Sequence, residues 1–242
     1  MKRKTYDVIK KEFTRIMKEN SFELDKAVIT TVPLSAEEVI GNPEDRDYPL
    51  IIGKERMMQA EFRGAFGQAF TDMYGNFKGR LSDIVGMDLI NNFRRAIFVS
   101  SLNAVLRYLG LITKTRHCRD NEPQQCSHEL ANYVEKNYGH VKMAMVGFQP
   151  RMVEALSQRV ELKVTDMDKA NIGAEKFGIV ISGPEKIEEN LAWCDVALVT
   201  GTTVVNGTID QFMISKPVIF YGVTISGVAA LLHLNHFCYC GH

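Results

Sequence analysis

The stretch CDVALVTGTTVVNGTID (residues 194–210) decides the fold. Its apolar, β-branched run at 196–199 stops at Thr200-Gly201-Thr202-Thr203, and a second apolar pair leads to Asn206-Gly207-Thr208. A buried parallel strand that ends in a polar, glycine-bearing loop before a helix has this form. In open α/β sheets ligands bind outside the carboxyl ends of strands. The hydroxyls of Thr200, Thr202 and Thr203, the Asn206 amide and the backbone N–H groups around Gly201 therefore suit a small ligand, an anion being the natural fit. The competing reading is a loop whose threonines cap the next helix.

Outward from this stretch, strands and helices alternate. Before it lie a helix at 128–138, a strand at 142–146, the turn GFQP at 147–150 and a helix at 151–159. A strand at 161–165, an acidic turn at 166–173, a short strand at 178–181 and a helix at 186–194 follow. After it come a helix at 209–214 and a strand at 217–220. Strands separated by helices predict a parallel sheet with right-handed crossovers.

The first half reads differently. Tyr6, Ile9, Phe13, Ile16 and Met17 recur at helical spacing over 3–20, and 26–32 is a β-branched run that leaves for a turn at Pro33. In QAEFRGAFGQAFTDMYG (59–75) the two glycines, Gly64 and Gly67, favour strand and turn over helix. Its Glu61, Arg63, Gln68 and Asp72 are either a site or a solvated face. A short helix is expected at 81–86 and a long one, apolar on most sides and hence buried, at 91–110. Asn103 in its middle then needs a buried partner. Residues 113–127 are polar and form the linker, which divides the chain into domains at 1–120 and 121–242.

The 242 residues balance 29 Lys+Arg against 29 Asp+Glu, so charge signals neither nucleic acid nor an anionic membrane as a partner. No apolar run reaches the roughly 18 residues of a bilayer span, and a cytoplasmic protein is expected. A small-molecule ligand is the expected partner, and self-association into a homo-oligomer is left open. Five cysteines in a reducing compartment serve packing, catalysis or metal rather than disulfides.

Two chemistries compete for the cofactor. Asp166 and Asp168 stand where a dinucleotide-type fold places the acid for a ribose hydroxyl, about 20 residues past the Gly147 turn. GFQPRM is not G-x-G-x-x-G, however, and Pro150 removes an N–H from that turn, which argues against ordinary NAD binding and leaves another nucleotide-like molecule. The alternative is a transition metal. His117-Cys118 with Cys126, and His236, Cys238, Cys240 and His242, supply enough soft ligands for a tetrahedral site, although neither spacing is that of a known finger. Cys194 reads as a small core residue and His233 as a satisfied buried histidine. With no G-x-S-x-G, H-E-x-x-H or P-loop, the common hydrolase chemistries are not supported.

SLNAVLRYLG, HCRDNEPQQC, VGFQPRMVEAL, VTDMDKANIG and WCDVALVTGTTVVNGTID followed by KPVIFYGVT occur in order. In these the chain resembles, over essentially its whole length, an uncharacterised family known as the putative heavy-metal chelation domain. The resemblance implies an α/β protein: an enolase-N-terminal-like α+β domain followed by a Rossmann-like parallel-sheet domain, with a site in the cleft between them. Carried over by motif, the site would comprise Gly147, Gln149, Pro150, Asp166, Asp168, Asn171, Thr200, Gly201, Thr202, Thr203 and Asn206, faced by Glu61, Arg63 and Gln68. The implied function is binding of a small polar, nucleotide- or pterin-like ligand, with a condensation or hydrolysis linked to metal chelation. The alternative is a non-enzymatic metal-binding or delivery protein that uses Cys118, Cys126, Cys238 and Cys240.

Overall fold

The structure, a computed structural model, describes residues 4–22 and 28–242. It is a mixed α/β chain with two sheets. The first half runs α1 (Lys4–Glu19), β1 (Val28–Leu34), α2 (Ala36–Ile40), α3 (Pro49–Ile52), β2 (Arg56–Phe62), β3 (Ala65–Thr71), β4 (Phe77–Arg80), α4 (Leu81–Gly86) and α5 (Asn92–Tyr108). Its four strands form an antiparallel sheet in the order β3-β2-β1-β4.

The expected strand and turn at 59–75 is a hairpin. Arg63 and Gly64 both have positive φ, 51° and 83°, the two-residue turn that matches strand twist. Gly67 serves another purpose: a Cβ there would stand 2.2 Å from the Ala104 backbone nitrogen, so only glycine lets α5 lie directly on β3. Lys26 and Ala27 of the expected strand lie outside the described residues, and β1 runs on past Pro33, which pairs with Met58. Proline is tolerated there because β4 pairs only with Val28 to Thr31, leaving that side of Pro33 without a ladder partner.

The second half runs α6 (Glu122–Tyr138), β5 (Lys142–Val146), α7 (Pro150–Ser157), β6 (Glu161–Thr165), β7 (Glu175–Lys176), β8 (Ile179–Ser182) and α8 (Ile187–Trp193). It ends with β9 (Val196–Thr200), α9 (Thr203–Asn206), β10 (Val218–Tyr221), α10 (Ser226–Leu232) and β11 (His236–Phe237). The sheet order is β11-β10-β9-β5-β6-β8-β7, parallel throughout except for the β7–β8 edge. Counting only the parallel strands along the chain, this is 3-2-1-4-5-6, the order of the dinucleotide-binding fold, with its switch point between β5 and β9. Three expectations shift. Helix α6 begins at Glu122 rather than 128, with Pro123 in its first turn where proline is favoured. The helix expected at 209–214 is a 3-10 turn at Ile209–Phe212. His233 is exposed and left-handed (φ 54°) at the end of α10, not buried.

Helix α5 joins the halves. Residues 95 to 106 are all buried, and the helix packs on β3 and β2 on one side and on α9 and α10 on the other. The largest core therefore runs from Phe13 and Phe98 through Val105 to Val199 and Val205. Asn103 is the polar tie within it. Its amide donates to the Gln68, Val223 and Thr224 carbonyls at 2.9, 3.2 and 3.2 Å, and its oxygen accepts from the Gly227 N–H at 2.8 Å.

Candidate functional site

At the switch point the turns after β5 and β9 press face to face. Gly147 (φ 91°) has room for no side chain, because a Cβ would meet Thr200 and the Tyr221 hydroxyl within 2.9 Å. The Tyr221 hydroxyl donates to the Gly147 carbonyl at 2.9 Å, and burial pushes its pKa up, so it stays a donor. Most of the polar groups in these loops are engaged locally. Asp166 accepts from the Phe148 N–H (2.5 Å) and the Asp168 N–H (2.7 Å), and Gln149 caps α7 through the Met152 N–H (2.6 Å) with Pro150 in the first turn. The Thr200 and Thr202 hydroxyls share a 2.5 Å hydrogen bond, while Thr203 donates to the Thr200 carbonyl at 2.8 Å. Thr203 closes the turn, Thr202 stands at the N-cap of α9 without a side-chain cap hydrogen bond, and it remains half-exposed. Beside it stand exposed Asp168, half-exposed Asn171 and Asn206, whose amide reaches only the Met167 sulfur at 3.9 Å.

The first half reaches this crevice through residues 42–48, not through the expected trio. Arg151, in the first turn of α7, forms ion pairs with Asp45 (3.2 Å), Asp47 (3.0 Å) and Glu154 (3.0 Å). Tyr48 is buried behind this clamp, where burial and the neighbouring Asp45 raise its pKa to about 12. Glu61 and Arg63 lie at the β2–β3 turn, where Arg63 stacks over Phe22, Phe62 and Tyr108. Tyr108 is 13 residues along α5 from Arg95, which donates to the Val205 carbonyl of α9. At 1.5 Å per residue that separation is roughly 20 Å. Gln68 is buried and structural: its side chain joins Gln59 (2.9 Å) to the His117 N–H (2.7 Å). Sequence reasoning missed Arg151, Tyr48 and Tyr221; no motif surrounds them, and only the fold gives them partners.

A second gathering forms where residues 114–122 meet 238–242. The Thr115 and Arg116 N–H groups donate to the His242 carbonyl (2.8 and 2.7 Å), and the His242 N–H donates back to the Arg116 carbonyl (2.9 Å). Across this seam Cys118 lies within electrostatic reach of Cys126, Cys238 and Cys240. Burial, then the neighbouring sulfurs, push Cys118 upward, Cys238 to about 12 and Cys240 to about 11. All five cysteines of the chain are free, and Cys194 is the buried core residue expected. Among the described residues no group of three or more His, Cys, Asp or Glu side chains could hold a metal ion. Beside the seam is an open concavity of about 940 Å³, bordered by Arg119, Glu122, Gln125, His128 and His242. No helix is long and apolar enough to cross a membrane among the described residues.

Residues 132–235 match a family described as "DUF364: Putative heavy-metal chelation". Two solved structures share the fold, both of DUF364 proteins described as of unknown function. One, from Pyrococcus horikoshii, is 16% identical with a TM-score of 0.55, over 91% of this chain and 79% of that one. The other, from Desulfitobacterium hafniense, is 15% identical with a TM-score of 0.51, over 73% of this chain and 72% of that one. No curated protein matches. The resemblance read from the motifs thus stands for residues 132–235, where the chain is similar to the DUF364 family.

Proposed function

We propose that this chain binds a small polar or nucleotide-like ligand in the crevice between β5 and β9, under residues 42–48. The observation that carries this reading is the reversal of strand order at that point, the place where open parallel sheets bind ligands beyond their strands' carboxyl ends. The rim offers Thr202 as donor or acceptor, Asn206 and Asn171 as amides and Asp168 as an acceptor for hydroxyl or amine hydrogens. Asp166 works one layer behind, fixing the Phe148 turn. The family's description supports a ligand whose chemistry touches heavy metals, such as a chelating heterocycle, and a condensation or hydrolysis would be chemistry on that same ligand.

Native mass spectrometry of the purified protein, then calorimetry against pterins, nucleotides and S-adenosylmethionine, tests the reading. At least one compound should bind, and Thr202→Val or Asn206→Ala should weaken it about tenfold or more, the loss of one hydrogen bond to a ligand, without lowering thermal stability. Absence of any binder, or binding indifferent to both substitutions, would overturn it.

A further inference from the structure

We infer that the β5–β9 crevice rejects phosphate and takes an uncharged or cationic heterocycle that presents N–H or O–H donors. The inference rests on the ligand reading above and narrows it to one chemical class. It reverses the anion fit drawn from the threonine loop.

A dinucleotide-binding fold grips phosphate with the free N–H groups of a glycine turn and of the helix that follows it. Here those donors are spent within the chain. The Gly147 N–H donates to the Thr165 carbonyl at 2.8 Å, and the Phe148 N–H donates to the Asp166 carboxylate at 2.5 Å. Pro150 has no N–H to offer, and the Met152 N–H is closed by the Gln149 side chain at 2.6 Å. The space is taken as well as the donors. Glycine at such a turn ordinarily lets backbone approach a pyrophosphate, whereas the side that Gly147 leaves open is filled by Thr200 and the Tyr221 hydroxyl, each within 2.9 Å of where a Cβ would stand.

The neighbouring turns repeat the pattern. After β9 the Gly201 N–H donates to the Tyr221 carbonyl at 2.8 Å, and α9 is a single turn of four residues. After β6 the Asp168 N–H goes to Asp166 (2.7 Å), the Ala170 N–H to Asp168 (3.0 Å) and the Gly173 N–H to the Ile181 carbonyl (2.8 Å). Charge acts in the same direction. Asp166 and Asp168 stand on one side of the crevice, and the Arg151 guanidinium is held by Asp45, Asp47 and Glu154 and stacked 5.3 Å over Phe177. The exposed Arg46 and Lys169 are outnumbered by these acids. A phosphate would have to displace charge-assisted bonds and sit beside a carboxylate, which is discrimination by repulsion.

The rim is left with groups that read donors. Asp168 keeps its Oδ2, Asn171 and Asn206 present amides, and Thr202 can accept. Met167, exposed beside Asn206, adds a polarisable surface for a flat ring.

The test is calorimetry of the full chain with matched pairs: adenosine and its 5′-monophosphate, guanosine and its 5′-monophosphate, neopterin and its monophosphate. At least one unphosphorylated member should bind, its phosphorylated partner should bind about tenfold or more weakly, and excess inorganic phosphate should not compete. Asp166→Ala frees the Phe148 N–H and removes a charge, while Gln149→Gly frees the Met152 N–H at a position where glycine caps acceptably. Each should narrow the ratio within the pair severalfold, and Gln149→Gly decides alone should Asp166→Ala fail to fold. Phosphorylated partners that bind equally or better, competition by phosphate, or a ratio unmoved by the substitutions would overturn this inference and leave the crevice reading standing. Silence from both members of every pair overturns the crevice reading and this inference with it.

Discussion

The β5–β9 crevice and the cysteine seam lie on the same carboxyl edge of the parallel sheet, yet they use their polar groups in opposite ways. At the crevice Asp166, Gln149 and Thr203 come from loops dense in short polar residues, and each bonds to backbone within its own or an adjacent loop. At the seam the sulfurs come from positions as far apart as 118 and 240, and thiols are weak hydrogen-bonding groups. A polar motif concentrated in one window tends to satisfy itself, because short side chains compete well for nearby backbone. Groups gathered from distant windows lack that outlet.

The comparison can be broken at its shared support. Gly67→Ala forces a Cβ into the α5 backbone and should cost about 3 kcal/mol or more, lowering both regions together. Gly64→Ala in the same hairpin meets open space and should cost only about 1 kcal/mol, the strain of its positive φ. Denaturant unfolding of the pair checks this, and equal losses would refute the close approach. Asn103→Ala should come next, near 3 kcal/mol, because it removes the amide's bonds to three carbonyls and the acceptor of the Gly227 N–H in a buried site.

Two smaller changes separate the regions. Arg151→Met should cost about 1 kcal/mol, since its partners Asp45 and Asp47 are well exposed and screened. Its signature is faster proteolysis within 42–48. Tyr48 lies between the regions, within reach of Arg151 and Cys118 alike. Its phenol ionises near 10 when unfolded and about 12 when folded, so the unfolded chain loses the proton first. The Tyr48 contribution is full below pH 10 and is lost as pH rises toward 12, with a slope of up to about 1.4 kcal/mol per pH unit. Tyr48→Phe should flatten that part of the alkaline unfolding curve, and an unchanged curve would show that Tyr48 titrates like free tyrosine.

Much of the parallel half was legible residue by residue. The strands at 142–146 and 161–165 have the bounds expected of them, because strands buried on both faces read as continuous apolar runs closed by polar turns. The hairpin and α5 were legible for complementary reasons, positive-φ glycine at a turn and apolarity on every side. Helix α10 and the two-residue strands β7 and β11 were not, since short elements are defined by neighbours rather than by their own period. At the site, the loops after the strands were readable from topology. Arg151 and Tyr48 were not, because an arginine clamp across 104 residues leaves no local spacing to detect.

Helix α5 has a further consequence for how the molecule moves and melts. A single helix whose every turn belongs to one core or the other cannot release one sheet while keeping the second. Heat or denaturant should therefore meet a single cooperative unit, with coincident transitions whichever half is observed. A rigid hinge between the halves is denied by the same helix. Local opening is left to residues 42–48 and the arginine that holds them, whose release should cost little beside global unfolding.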